Sequence, residues 1–140
     1  VAVLGGDSVE EKEWNSSFDE IAGLTNLTGK IRLNDSLDII SKSKIVVCQD
    51  SGPFHFSYMA RGPKVVVLFG VTRSDSRLPL DPSLRENIFV LQDTSCAFHS
   101  CYNGLKEPSC HNEFKFQCIK KTEIQSVYRI ITKNIETCVE

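Results

Sequence analysis

Eight consecutive residues, Cys48-Gln49-Asp50-Ser51-Gly52-Pro53-Phe54-His55, combine a strand end, a glycine turn and a helix start. That order suits an anion. A chain that leaves a strand through a small turn and enters a helix aims unpaired backbone N–H groups, and the positive end of the helix dipole, at one point. Ser51 adds a hydroxyl, Gly52 lets a ligand approach the backbone, and His55, one turn into the helix, offers a ring nitrogen to a phosphate or sugar oxygen. Asp50 would repel phosphate, so sugar hydroxyls or the amides of the turn are its expected partners. The same residues also suit plain capping of a helix by Asp50 and Ser51 ahead of Pro53, and position alone does not separate the two readings. A lone His at a helix start is as readily a packed or solvated residue.

A second constellation lies further along. Cys96, Cys101, Cys110 and Cys118 follow the spacing C-x4-C-x8-C-x7-C, with His99 and His111 close in sequence. Four thiolates at this density suit a tetrahedral zinc or iron site. The spacing lacks the tight C-x2-C pairs of a zinc ribbon, and free thiols, or disulfides formed in purified protein, fit it too. Cys48 closes an apolar run and reads as core, while Cys138, near the end, has no specific part. The sequons Asn15-Ser16-Ser17 and Asn26-Leu27-Thr28 carry meaning only in a secreted eukaryotic chain.

The elements that must position these residues follow from periodicity. Val1 to Leu4 is a short apolar run closed by Gly5-Gly6, the pattern of a buried parallel strand and a tight turn. Ser8 and Glu11 form a capping-box pair, and Trp14, Phe18, Ile21 and Ala22 recur at helical spacing up to Gly23. Leu27 to Gly29 is a very short second strand; Leu33, Leu37, Ile39 and Ile40 mark a helix that starts through Asn34 or Asp35. Ile45 to Cys48, Lys64 to Phe69 and Ile88 to Leu91 are the next strands, with a short helix after Pro53 that Gly62 ends. Residues 96–118 break the alternation as a cysteine-rich loop. Residues 122–138 read as a closing helix with Ile124, Val127, Tyr128, Ile131 and Ile135 on one side. Strands alternating with helices predict an open, Rossmann-like parallel sheet with helices on both faces, a three-layer α/β fold.

Composition bounds the partners. The chain has 140 residues, of which 41% are hydrophobic and 24% charged, and residues 1–140 read as a single domain able to bury its own core. Sixteen Lys and Arg against eighteen Asp and Glu give a net charge of -2 without a basic stripe, which excludes nucleic acid as the expected partner. No run of about 18 apolar residues offers a transmembrane segment, and the start lacks the basic region and cleavage site of a signal peptide. A chain that opens without Met inside an apolar run reads as a fragment or excised domain.

Residues 45–72, a buried strand, Asp50-Ser51-Gly52-Pro53-x-His55, a short helix and then Val65-Val66-Val67-Leu68-Phe69-Gly70-Val71-Thr72, closely resemble the donor-binding half of glycosyltransferase family 9, the ADP-heptose:lipopolysaccharide heptosyltransferases. The likeness extends upstream to Gly5-Gly6 with its Glu-rich helix start and to Asn26-Leu27-Thr28-Gly29-Lys30, and downstream through the cysteines, so it covers nearly the whole chain. In two places the sequence departs from the family pattern. Val71-Thr72-Arg73-Ser74 stands where the family has Pro-Thr-Asp-Pro after the glycine, and Gln49 replaces a small or polar residue.

The resemblance implies the C-terminal, Rossmann-like half of a two-domain GT-B enzyme. That half binds a nucleotide-sugar, ADP-heptose, while an N-terminal domain absent from these residues binds a lipid A core acceptor. Position by position, it implies that the backbone from Ser51 through Gly52 to Phe54 cradles the diphosphate, that His55 lies beside it, and that Asp50 touches the heptose. Glu11, or Glu10 in the alternative register, would hold the ribose, Ile31 would line the adenine pocket, and Thr72 would belong to the donor site. It further implies inversion at the anomeric carbon by a base from the missing domain, no turnover by this chain alone, and a cytoplasmic place with peripheral inner-membrane contact. One branch of the family, acting on autotransporter proteins, carries a four-cysteine iron site like the present cluster. Another nucleotide-sugar, a protein acceptor, or a cysteine-metal interaction module built on the same core are the alternatives.

Overall fold

The structure, a computed structural model, describes residues 1–98, 101 and 110–136. His99, Cys138, much of the cysteine loop and the expected last turn of the closing helix lie outside the described residues. The chain groups into two compact units, Val1–Ile39 and Ile40–Glu140. Every strand pair is parallel and helices alternate with strands, the α/β class expected from the sequence. Pairing runs within two sheets rather than one continuous sheet.

In the first unit, β1 (Ala2–Val3) pairs with β2 (Thr25–Asn26), and α1 (Val9–Asn15) connects them with a 3-10 turn at Ser16–Glu20. Ser8 caps α1 as expected, its hydroxyl accepting from the Glu11 N–H at 3.1 Å. The helix is shorter than its periodicity suggests because Asn15 is claimed by the neighbouring strand end. Its carbonyl accepts from Asn26 Nδ2 at 2.8 Å, and its own Nδ2 donates to Thr28 Oγ1 at 2.9 Å. Asn26 and Thr28 are buried, and Thr28 N–H donates to Asn26 Oδ1, so a polar cluster organises this unit. Trp14, left beyond that cluster, is exposed. The sequon at Asn26 is thereby spent in the interior. The second strand ends earlier than the expected Leu27–Gly29 because Gly29, at φ +64, turns the chain.

Helix α2 (Leu33–Lys42) begins ahead of Asn34 and Asp35, since Asp35 reaches back from inside the first turn to accept the Arg32 N–H at 3.3 Å.

In the second unit, β3 (Ile45–Gln49), β4 (Lys64–Phe69) and β5 (Ile88–Gln92) form a parallel sheet with β4 central. The run Lys-Val-Val-Val-Leu-Phe of β4 is apolar on both faces because both are covered. Val65, Val67 and Phe69 pack with Phe54 of α3 (Gly52–Met59), and Cys48, Tyr58, Leu78 and Ile88 surround that cluster. Val66, which alternation turns to the other face, is equally buried, and α5 (Ile124–Glu136) packs against β3 and β4. Of the face expected on α5, Val127 and Ile131 are half-buried while Ile124, Tyr128 and Ile135 are exposed. Helix α3 ends before Gly62. The left-handed residue is Arg61, at φ 57, and Gly62 stands where a Cβ would lie 2.9 Å from the Ser41 carbonyl oxygen. A further short helix, α4 (Gln117–Lys120), sets Ile119 against Gly70, which closes β4. Among the described residues no helix is long and apolar enough to cross a membrane.

Candidate functional site at the ends of the second sheet

The parallel sheet directs the C-terminal ends of β3, β4 and β5 the same way, so the segments after Gln49, Phe69 and Gln92 leave from one edge. At the first of these, Ser51 has extended backbone and no side-chain capping bond. Its hydroxyl instead donates to the Gln49 carbonyl at 3.2 Å, inside the turn. Plain capping by Ser51 is therefore not what this residue does. Pro53 has no N–H, and the Phe54 N–H donates to the Ser51 carbonyl at 3.1 Å. The Gly52 N–H, on the first helical residue, has no intrahelical partner and is the donor the turn leaves open. Beyond its chain neighbours and its own helix backbone, a Cβ at Gly52 would meet only the Phe56 ring, at 3.5 Å.

Phe54, assigned to the donor site from the sequence, is fully buried in the core, where its ring meets Phe69 edge-on with centroids 5.7 Å apart. Both its ring and its N–H are thus engaged within the chain, and it supports the turn from beneath. His55 is half-buried; its Nδ1 lies 3.0 Å from the Tyr58 hydroxyl and its ring packs edge-on to Tyr58. That contact fixes the ring and leaves Nε2 as its other polar atom. Asp50 has a side chain only 17% exposed, and its Oδ2 stands 3.7 Å from Arg77 Nε. Burial, and then the Asp50 carboxylate, push the Cys48 thiol up to about 12, so Cys48 stays neutral as a core residue should.

The segment after β4 is held by a residue the sequence reading missed. Gln92, last in β5, donates from Nε2 to the Thr72 carbonyl at 2.7 Å and accepts the Ser74 N–H on Oε1 at 3.3 Å. Both ends of one amide thus clamp the backbone on either side of Arg73. Beyond it, Ser74–Ser76 makes a single 3-10 turn, whose Ser74 carbonyl accepts the N–H groups of Arg77 and Leu78. Arg77, also missed, is brought to Asp50 in this way. Arg73 is held by Asp75 through paired hydrogen bonds, which raise its pKa further.

Glu11 and Ile31 belong to the first unit. Glu11 is exposed, and its carboxylate lies over Gly6, where an added Cβ would fall 2.3 Å from Oε2. Ile31 is half-buried in the segment leading to α2. Glu10 is the other acidic residue of the first turn of α1. Lys12 pairs with Asp7.

Cys96, Cys101, Cys110 and Cys118 are free thiols. Among the described residues no three His, Cys, Asp or Glu side chains stand together closely enough to hold an ion. Two of the four sulfurs accept from local amides. Asn112 Nδ2 donates to Cys96 Sγ at 3.1 Å and the Phe116 N–H to Cys110 Sγ at 3.3 Å. The Phe116 and Asn112 amides lower the Cys110 pKa, whereas burial, followed by the charge of Cys96, Cys101 and Cys110, raises that of Cys118. The thiols suit soft-metal chemistry, and no step below uses a metal. Gln117, bonded to both Ser95 and Asn112, ties the two ends of this loop together.

A family model described as glycosyltransferase family 9 (heptosyltransferase) matches residues 1–106. No curated protein and no solved structure matches the chain.

Proposed function

The chain belongs to glycosyltransferase family 9, and on that premise we propose that it is the nucleotide-sugar-binding part of a heptosyltransferase-like enzyme. The donor is ADP-heptose and the acceptor a lipopolysaccharide core sugar, with inversion at the anomeric carbon. The observation that carries this reading is the uncapped start of α3. A helix beginning with an open Gly52 N–H and no side-chain cap is complementary to an anion.

In this reading the diphosphate of the donor meets the Gly52 N–H and the positive end of α3. Asp50, almost buried at the same turn, accepts from heptose hydroxyls, and His55, steadied by Tyr58, presents Nε2 toward a phosphate or sugar oxygen. Thr72, whose carbonyl is bound by Gln92, offers its hydroxyl from the neighbouring strand end. As the glycosidic bond to the diphosphate breaks, negative charge grows on the leaving group, and the preset Gly52 N–H and the positive end of α3 stabilise it without reorganising. No residue of this chain is assigned as the base that removes the acceptor proton; the family's acceptor domain would supply it, and turnover by these 140 residues alone is not expected. A cytoplasmic place beside the inner membrane follows from such an acceptor.

The test is residue-resolved. In amide NMR spectra, ADP is expected to shift the Ser51 and Gly52 resonances most within the second unit, and Asp50→Asn to weaken ADP-heptose but not ADP. Shifts confined to residues remote from the β3–α3 turn would overturn the assignment. Tighter binding of UDP or GDP, or transfer to a protein instead of a lipid core, would keep the family and replace the donor or acceptor.

A further inference from the structure

Resting on the donor-site reading, we propose that Arg77 is the cation that binds the donor diphosphate, held on Asp50 until the nucleotide arrives. The start of α3 supplies about half a positive charge, while Asp50 places a full negative charge at the same turn. Together they leave the turn net negative by about half a charge, which opposes a diphosphate. Arg77 reverses the sign. Its Nε lies 3.7 Å from Asp50 Oδ2, an ion pair beyond hydrogen-bond reach, and its side chain is 44% exposed against 17% for Asp50. A loose pair with the arginine on its open side can exchange partners.

The backbone beneath Arg77 is fixed on both flanks. Gln92 clamps Thr72 and Ser74, the Ser74 carbonyl accepts the Arg77 N–H at 3.0 Å, and Leu78 packs on the core cluster. A fixed backbone with a partly exposed guanidinium suits two-pronged binding of phosphate oxygens, which a point-charge lysine does less well. Arg73, four residues earlier, is committed to Asp75 and does not compete.

Calorimetric titration of the protein with ADP and with adenosine separates the possibilities. Arg77→Gln is expected to weaken ADP about tenfold or more while leaving adenosine unchanged, and to flatten the salt dependence of ADP binding. Arg77→Lys recovers part of the loss. Arg73→Gln, with the same charge change in the same segment, stays within about twofold. Asp50→Asn, which releases Arg77 and removes the opposing charge, tightens ADP. Equal ADP affinity in Arg77→Gln and wild type, equal losses for ADP and adenosine, or weaker ADP binding in Asp50→Asn would each overturn the assignment. Failure of the wild-type protein to bind ADP at all would remove the donor-site reading and this inference with it; ADP binding by wild type that Arg77→Gln leaves intact would remove the inference alone.

Discussion

Gly52→Ala is the substitution in which ligand affinity should fall with little change in stability. Gly52 is the first residue of α3, its φ is not in the left-handed region, and a Cβ there meets only Phe56 Cε2 at an ordinary 3.5 Å. Beyond its chain neighbours the fold therefore has room for the methyl. The gain of about 0.4–1 kcal/mol from reduced freedom of the unfolded chain is offset by crowding of the new Cβ against Pro53, since a helical residue before proline is disfavoured. The melting temperature should therefore stay within about 4 °C of the wild-type value. A phosphate oxygen needs to come within about 2.9 Å of the Gly52 nitrogen to accept its hydrogen bond. A methyl group in the approach would forfeit a bond to a charged acceptor worth about 1.5–3 kcal/mol, a loss of roughly 10- to 150-fold in ADP affinity. Thermal unfolding followed by circular dichroism and calorimetric titration with ADP measure the two effects on one sample. An alanine variant that is clearly less stable would refute the reasoning about space, and one that binds ADP as wild type does would refute the approach of a phosphate to this N–H.

Gly70→Ala should behave differently, because its Cβ would sit 2.7 Å from Ile119 Cγ1; a loss of about 1–3 kcal/mol is expected in urea unfolding. Arg61→Gly relieves a left-handed arginine at φ 57 and gives up only an exposed 3.9 Å pair with Asp81, so a gain of about 0.5–1 kcal/mol is expected in the same assay. Cys48, raised to about 12 by burial and Asp50, favours the folded state fully below the ordinary thiol value of about 8.5, and that contribution is lost as pH rises from there toward about 12. Cys48→Ala should accordingly lose less stability than wild type between pH 8.5 and 11, and a wild-type Cys48 alkylated readily at about pH 9 in the folded protein would contradict this.

The β3–α3 turn was legible because glycine and proline punctuate the end of an apolar run, and the Val-Val-Val of β4 could only be a strand covered on both faces. Where the sequence reading stopped short, long-range partners decided. Asn15 fits its helix by periodicity, yet bonds to Asn26 and Thr28 end the helix there. Arg61 rather than Gly62 takes the left-handed position, because Gly62 is needed for close approach to Ser41. Phe54 lies in the motif, but core packing takes its side chain. Arg77 and Gln92 carry no local signature. They reach the site only through the parallel register that sets β5 beside β4 and β4 beside β3, which nothing in their own neighbourhoods encodes. The four cysteines were visible as a set, while the local amide partners of Cys96 and Cys110 were not.

Binding of the donor nucleotide is the claim on which the rest depends, and calorimetric titration of the protein with ADP, UDP, GDP and ADP-heptose tests it most directly. The account predicts saturable binding of ADP in preference to UDP and GDP, tighter binding of ADP-heptose than of ADP, and loss of that added affinity in Asp50→Ala. Equal affinity for all the nucleotides, or no binding of any, would contradict it.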